Sequence, residues 1–255
     1  WVPFCRELWS SAEQQQNYLP GVPEGSDLCI TPVSAPENHY VHIKADNRLE
    51  ADGTLRGTFI LTAEGQSDSN IRRIFTTGFQ SEWKSTMERQ LLAISPKARL
   101  LSVDYGKNPK DYQAAPIKIT FRYEIPDYAL KGEGEMLFRP MVMNNLYNQV
   151  RSYMWIDTSV ENRKYGFKDA CSRLVELDET VQLPAGYKLV SAVKDETMQG
   201  VGADFEGSLV QKGNKVLLHN RLALKKRVYG ASDWESFRNA VNAHKAYGEY
   251  LVIKK

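Results

Sequence analysis

Residues 39–63 read HYVHIKADNRLEADGTLRGTFILTA, and this stretch decides the fold. His39, Val41, Ile43 and Ala45 alternate with Tyr40, His42, Lys44 and Asp46. A period of two puts successive side chains on opposite faces of a strand, so 39–49 reads as half-buried β. Asp52-Gly53 then supplies the backbone freedom that a tight hairpin turn needs. The return strand, Thr54 to Ala63, carries Leu55, Gly57, Phe59 and Leu61 on one face.

Downstream of this hairpin the period changes. Ile71, Ile74 and Phe75 have helical spacing, and Gly78 interrupts them. Ser81 is a candidate N-cap for a second helix with the stripe Trp83, Met87, Leu91, which Ser95-Pro96 ends. Helices are therefore expected near 69–94. A strand follows around Arg99–Tyr105, and Ile117–Tyr123 alternates again. Tyr128 to Phe138 is expected to pair with 117–123 through a turn at Pro126-Asp127. Gly132 and Gly134 read as a bulge or a close backbone approach. Arg139 to Phe167, with Tyr147, Tyr153, Trp155 and Tyr165, reads as a crossover.

From Ala170 the alternation resumes, with Leu174, Glu176, Asp178 and Thr180 against Val175, Leu177, Glu179 and Val181. Further strands are expected over 188–193, 203–211 and 215–228, the last two joined by Lys212-Gly213-Asn214. Ser232-Asp233-Trp234-Glu235 reads as a capping box, opening a helix near 233–246 with the stripe Trp234, Phe237, Val241. Tyr250–Ile253 is a closing strand. Residues 1–37 lack a period and hold Pro3, Pro20, Pro23, Pro32 and Pro36. They read as an extended arm anchored by Trp1, Phe4, Leu8, Trp9 and Tyr18.

The expected fold is thus mainly β with an α+β character. It has an irregular arm over 1–37 and two β-sandwich-like modules, over 38–140 and 141–255, with a few packed helices. Strand, glycine turn, strand and helix recur around Gly53 and Gly213. Two related modules would give that echo, and so would chance.

The chain has 255 residues, 42% apolar and 25% charged, with a formal net charge of +2. These are globular values, outside the range of disordered or collagenous chains. Near-neutral charge gives no reason to expect nucleic-acid binding. The basic cluster Lys225-Lys226-Arg227 reads as a solvated strand end. No apolar run reaches the roughly 18 residues of a membrane span.

Candidate chemistry is sparse. Cys5, Cys29 and Cys171 have no metal-binding spacing. Cys5 and Cys29 lie in one irregular stretch where pairing is open, and Cys171 reads as a small core residue. The four histidines, His39, His42, His219 and His244, read as ordinary strand and helix residues, with His39 and His42 on opposite faces of the first strand. No nucleophile elbow, phosphate loop or calcium loop is present. A Cys171–His219 pair has no support in the pattern. Neither metal nor cofactor is called for. Most aromatics have core spacing, although 13 Tyr and 5 Trp are enough for a sugar or peptide platform.

Trp1-Val2-Pro3-Phe4-Cys5-Arg6-Glu7-Leu8-Trp9-Ser10-Ser11, then Glu13-Gln14-Gln15, resembles the segment just after the catalytic core of secreted bacterial transglutaminase-like proteins. Ser172-Arg173-Leu174-Val175-Glu176, Leu183-Pro184-Ala185-Gly186-Tyr187 and Trp234-Glu235-Ser236-Phe237-Arg238 resemble the C-terminal domain of unknown function in such proteins. The resemblance implies a non-catalytic accessory region. The family's Cys-His-Asp triad would lie before Trp1, and no residue here matches it. The resemblance also implies a periplasmic or cell-surface protein. Trp1, Phe4, Trp9 and Tyr18 would contact that upstream core, and the β region would orient the core or bind an envelope polypeptide or glycan. The alternative is a stand-alone extracytoplasmic ligand-binding β-sandwich. A third class, a hydrolase built from scattered carboxylates, would show itself as a cleft with perturbed carboxyl groups.

Overall fold

The computed structural model describes residues 11–144, 146–147, 150–191 and 195–255. The fold is mostly β with three α-helices among the described residues. A short hairpin, β1 (Asn17–Tyr18) with β2 (Cys29–Ile30), belongs to the arm. The first half then runs β3 (Val41–Leu49), β4 (Leu55–Ala63), α1 (Gly65–Thr76), α2 (Trp83–Leu92), β5 (Arg99–Asp104), β6 (Ile117–Ile125), β7 (Leu130–Lys131) and β8 (Glu135–Phe138). The second half runs β9 (Phe167–Lys168), β10 (Arg173–Gln182), β11 (Lys188–Leu189), β12 (Glu196–Met198), β13 (Ala203–Lys212), β14 (Lys215–Leu224), β15 (Val228–Tyr229), α3 (Trp234–Ala246) and β16 (Leu251–Lys254).

The two halves do not stand apart as two sandwiches. One eight-stranded sheet runs β12-β13-β14-β10-β3-β4-β6-β5. Its seam is a parallel pairing of β10 with β3, and every other neighbouring pair is antiparallel. Alternation reveals which face a strand buries but not which strand lies beside it, so the seam has no local signal. The recurring hairpin is not a repeated topology either. The first strand of the β3–β4 hairpin lies at the seam, whereas the β13–β14 hairpin is separated from it by β10 and turns its second strand towards it.

Residues 128–138 leave the main sheet rather than pairing with β6. β7 and β8 form their own hairpin, and β8 continues through β16 to β11 in a four-stranded sheet. Gly132 and Gly134 make that hairpin's turn, with the Gly132 N–H donating to the Glu135 carbonyl and Gly134 at positive φ. The last helix is preceded by a box two residues before the expected one. A 3-10 turn at Ala231–Asp233 precedes it, and Asp233 Oδ2 accepts the Gly230 N–H at 2.8 Å. α2 begins in the same way, with Glu82 Oε2 accepting the Phe79 N–H in place of a Ser81 cap.

The inner face of the main sheet carries Val41, Ile43, Phe59, Leu61, Ile119, Phe121, Val175 and Leu177, all buried. Phe59 and Phe121 stack at 4.3 Å between ring centres. α3 packs against β13 and β14, and the 141–155 segment brings Val142, Tyr147 and Tyr153 into the same core. Burying each such side chain contributes roughly 1.5–3 kcal/mol. Cys171 is buried here, as expected of a small core residue, and Arg173 Nη2 donates to its sulfur at 3.2 Å.

One row of the inner face is polar. Asn47, Gly57 and Tyr123 lie abreast on β3, β4 and β6. Gly57 has no side chain, so the Tyr123 hydroxyl reaches across it and donates to Asn47 Oδ1. A Cβ at Gly57 would stand 2.6 Å from the Asp46 carbonyl oxygen and closer still to Asn47 Oδ1. Gly57→Ala is therefore expected to push Asn47 aside and cost about 1–3 kcal/mol. A shifted urea midpoint with an unchanged slope is the expected readout.

Candidate binding surface

The arm is tied to both halves of the sheet. Gln14 is buried, its Nε2 is 3.0 Å from His39 Nε2, and its Oε1 accepts from the Ser34 N–H and the Ser172 hydroxyl. Gln15 Oε1 accepts the Arg227 and Val228 N–H groups at 2.8 and 2.9 Å. Ser11 Oγ donates to Gln66 Oε1 on α1. Buried amide networks of this kind hold a segment in one geometry, because each lost partner leaves a polar group unpaired.

Beyond this anchor the arm turns outward. Tyr18 is 46% exposed, Leu19 65%, Leu28 69% and Ile30 67%, around the β1–β2 hairpin. Tyr18 is thus at the surface. Trp1, Phe4 and Trp9 lie outside the described residues, as does Cys5. Cys29 is a free thiol. His39 sits in a 3-10 turn before β3 rather than on the strand, where it serves the anchor.

The basic cluster is not a solvated strand end. Lys225 pairs with Asp204 at 2.7 Å, Lys226 with Asp233 at 2.8 Å, and the buried Arg227 donates to the Gln14 carbonyl. Of the crossover aromatics, Tyr147 and Tyr153 are core residues, while Trp155 and Tyr165 are exposed.

The outer face of the main sheet holds a second cluster. Ser208, His219, Asp178 and Lys44 lie abreast on β13, β14, β10 and β3. Asp178 lies between two histidines, with Oδ1 2.7 Å from His219 Nδ1 and Oδ2 2.8 Å from His42 Nε2. The His42 contact first, then the His219 contact, holds the Asp178 carboxyl down at about 2, against a partial burial that would raise it. A cleft of about 460 Å³ opens over this row, and Val210, Leu217, Thr180 and Lys212 also line it. Sequence reasoning treats His42 and His219 as ordinary strand residues. Their meeting at Asp178 depends on the β10–β3 seam, which joins segments 136 positions apart. Cys171 is buried beside Arg173, and the imidazole of His219 is engaged with Asp178 instead. Among the described residues, no group of three or more His, Cys, Asp or Glu side chains is arranged to hold a metal ion. No described helix is long and apolar enough to cross a membrane.

A family profile described as a domain of unknown function with a solved structure (DUF3858) matches residues 134–252. The match spans β8 to β16, so Asp178, Ser208 and His219 fall within it, while His42, Lys44 and the arm fall outside. Comparison with curated proteins gives no match. Among solved structures, a crystal structure from Parabacteroides distasonis ATCC 8503 described as a "putative protease" is similar, with 13% identity and a TM-score of 0.40. The similarity covers 48% of this chain and 24% of that one.

Proposed function

We propose that this chain is the accessory β region of a transglutaminase-like protein outside the cytoplasm, and that its arm orients a catalytic core preceding Trp1. The observation carrying this reading is the arm's division into two parts. Residues 11–16 are locked onto both halves of the sheet by buried side-chain amides, while the hairpin beyond them exposes Tyr18, Leu19, Leu28 and Ile30. Rigid anchoring with an apolar outer tip suits a segment that fixes a neighbouring domain, since isolated apolar patches on a monomer mark contact surfaces. The likeness of 1–15 to a core-exit segment and the domain match over 134–252 support the same assignment. On this reading the region is not itself an enzyme.

The test compares amide exchange of 17–33 in the full-length protein and in this chain alone. Protection of the hairpin only when the upstream sequence is present is the expected result, and Leu28→Asp with Ile30→Asp should abolish it. Equal exchange in both proteins would overturn the docking role. An upstream reading frame without a Cys…His…Asp core would overturn the transglutaminase assignment. The alternative reading, a stand-alone ligand-binding module, draws on the outer-face cleft.

A further inference from the structure

We propose that the outer-face cleft binds a carboxylate-bearing sugar, with Lys44 receiving the carboxylate and Ser208, Thr180 and His219 the hydroxyls. The proposal rests on the reading of this region as a binding module, but it does not depend on what the arm contacts.

The unsatisfied groups of the cleft point to this ligand. Lys44, Lys212, Ser208 and Thr180 have no side-chain hydrogen-bond or ion-pair partner among the described residues, yet all four line one concavity. At about 460 Å³ the cleft falls in the size range of small-ligand sites. Val210 and Leu217 face each other across β13 and β14, one row from Ser208 and His219. They form an apolar strip against which the C–H face of a pyranose ring can lie, while the neighbouring row offers hydroxyl and cationic donors. A bare phosphate would make no use of this strip, and a neutral sugar would make no use of Lys44.

The charges around the cleft must be counted from every strand that faces it. β3 presents His42, Lys44, Asp46 and Arg48, β10 presents Glu176 and Asp178, β14 presents Lys215, His219 and Arg221, and β13 presents Asp204, Glu206 and Lys212. Arg221 is occupied by Glu37 at 3.4 Å and Glu176 at 3.5 Å. Asp178 has both carboxylate oxygens committed to histidines. Asp46, Arg48, Asp204, Glu206 and Lys215 do not line the cleft. Within it the two ammonium groups of Lys44 and Lys212 outnumber the Asp178 carboxylate, and Glu179, which also borders it, turns its side chain inward to Asn47 and the Val142 N–H. With Nδ1 of His219 held by Asp178, Nε2 is the ring nitrogen left to meet a ligand hydroxyl.

Calorimetric titration of this chain with glucuronate, glucose and inorganic phosphate at pH 7 tests the proposal. Saturable binding of glucuronate is expected. Lys44→Met, at an exposed position, should weaken it about tenfold, the equivalent of one lost charge-assisted bond, without moving the melting temperature. Glucose binding as tightly as glucuronate, phosphate binding where glucuronate does not, or an affinity unchanged in Lys44→Met would each overturn it. So would no saturable binding of any of the three. Arm protection in the full-length protein should be the same with or without Lys44→Met, so failure here is separable from failure of the docking role.

Discussion

Glu179→Gln is expected to stabilise the protein at pH 8, by up to about 3 kcal/mol, and to leave it almost unchanged at pH 4.5. Glu179 is buried on the inner face of β10. Its Oε1 accepts from Asn47 Nδ2 at 2.6 Å, and its Oε2 accepts from the Val142 N–H at 3.1 Å. Burial pushes the carboxyl up to about 7, against the pull of Asn47 and of the Val142 and Met141 N–H groups. The folded value lies above the ordinary 4.5, so the native state binds the extra proton between these two pH values. Stability is then fully present below about 4.5 and falls as pH rises to about 7. Glutamine reproduces the hydrogen bonding of the protonated acid, with one acceptor oxygen and a donor turned to a flipped Asn47, but it cannot ionise. The variant therefore keeps at pH 8 what the native chain loses.

His244 makes the experiment sharper. It is buried between Asn220, whose Oδ1 is 2.6 Å from Nδ1, and Tyr153, whose hydroxyl is 3.1 Å from Nε2. Burial, then Arg151 and Lys245, pushes it down to about 3. A depressed histidine acts with the opposite sign: the unfolded chain binds its proton first, so stability is lost as pH falls from about 6.5 towards 3. Between 4.5 and 6.5 the two slopes cancel in the native protein. In Glu179→Gln only the histidine remains, and stability should climb with pH by about 1.4 kcal/mol per unit across that window. Urea melts at half-unit intervals would resolve the difference. Parallel curves for the two proteins would mean that Glu179 is ionised in the fold throughout, with its three donors outweighing burial.

This network also shows where sequence stops informing. The alternation around Val175, Leu177 and Val181 already places Glu179 on the apolar face, and the β3–β4 hairpin follows from its pattern and Asp52-Gly53. Gly57 looks like any strand glycine until β6 is laid beside β4, when its missing side chain becomes the gap that Tyr123 spans. The departure of residues 128–138 to a second sheet is hidden for a related reason. Leu130, Met136 and Phe138 can serve either sheet, and the choice is made by β16, more than 100 residues away. The outer-face row is invisible on the same grounds: His42 and Asp178 become neighbours only through a parallel seam between two halves that read as separate modules.

Asp68→Ala is expected to destabilise the fold by about 3–5 kcal/mol, because it strands a buried guanidinium. Asp68 is on the first turn of α1 and fully buried. Its Oδ2 accepts from Arg72 Nε at 2.6 Å and its Oδ1 from the Ile117 N–H at 2.6 Å. Burial raises the Asp68 carboxyl, while Arg72 and the Ile117 N–H draw it back. Arg72 extends the link, with Nη1 donating to the Pro109 carbonyl at 2.8 Å and Nη2 to that of Ala115 at 2.6 Å. A single pair thus ties α1 to the loop leading into β6 and to the first backbone group of that strand. Truncating the aspartate leaves a buried cation without its counter-charge, and leaves Arg72 Nε and the Ile117 N–H without acceptors, so their desolvation is no longer offset. Removing the whole pair as Asp68→Leu with Arg72→Met leaves only the Ile117 N–H and two carbonyl oxygens to be satisfied, so the double variant should be destabilised by less than the sum of the singles. A double-mutant cycle measures this coupling directly, and contacting residues in one network usually show about 0.5–3 kcal/mol. Additive effects within about 0.5 kcal/mol would show instead that water reaches Arg72 once Asp68 is gone, and that the pair fixes no geometry.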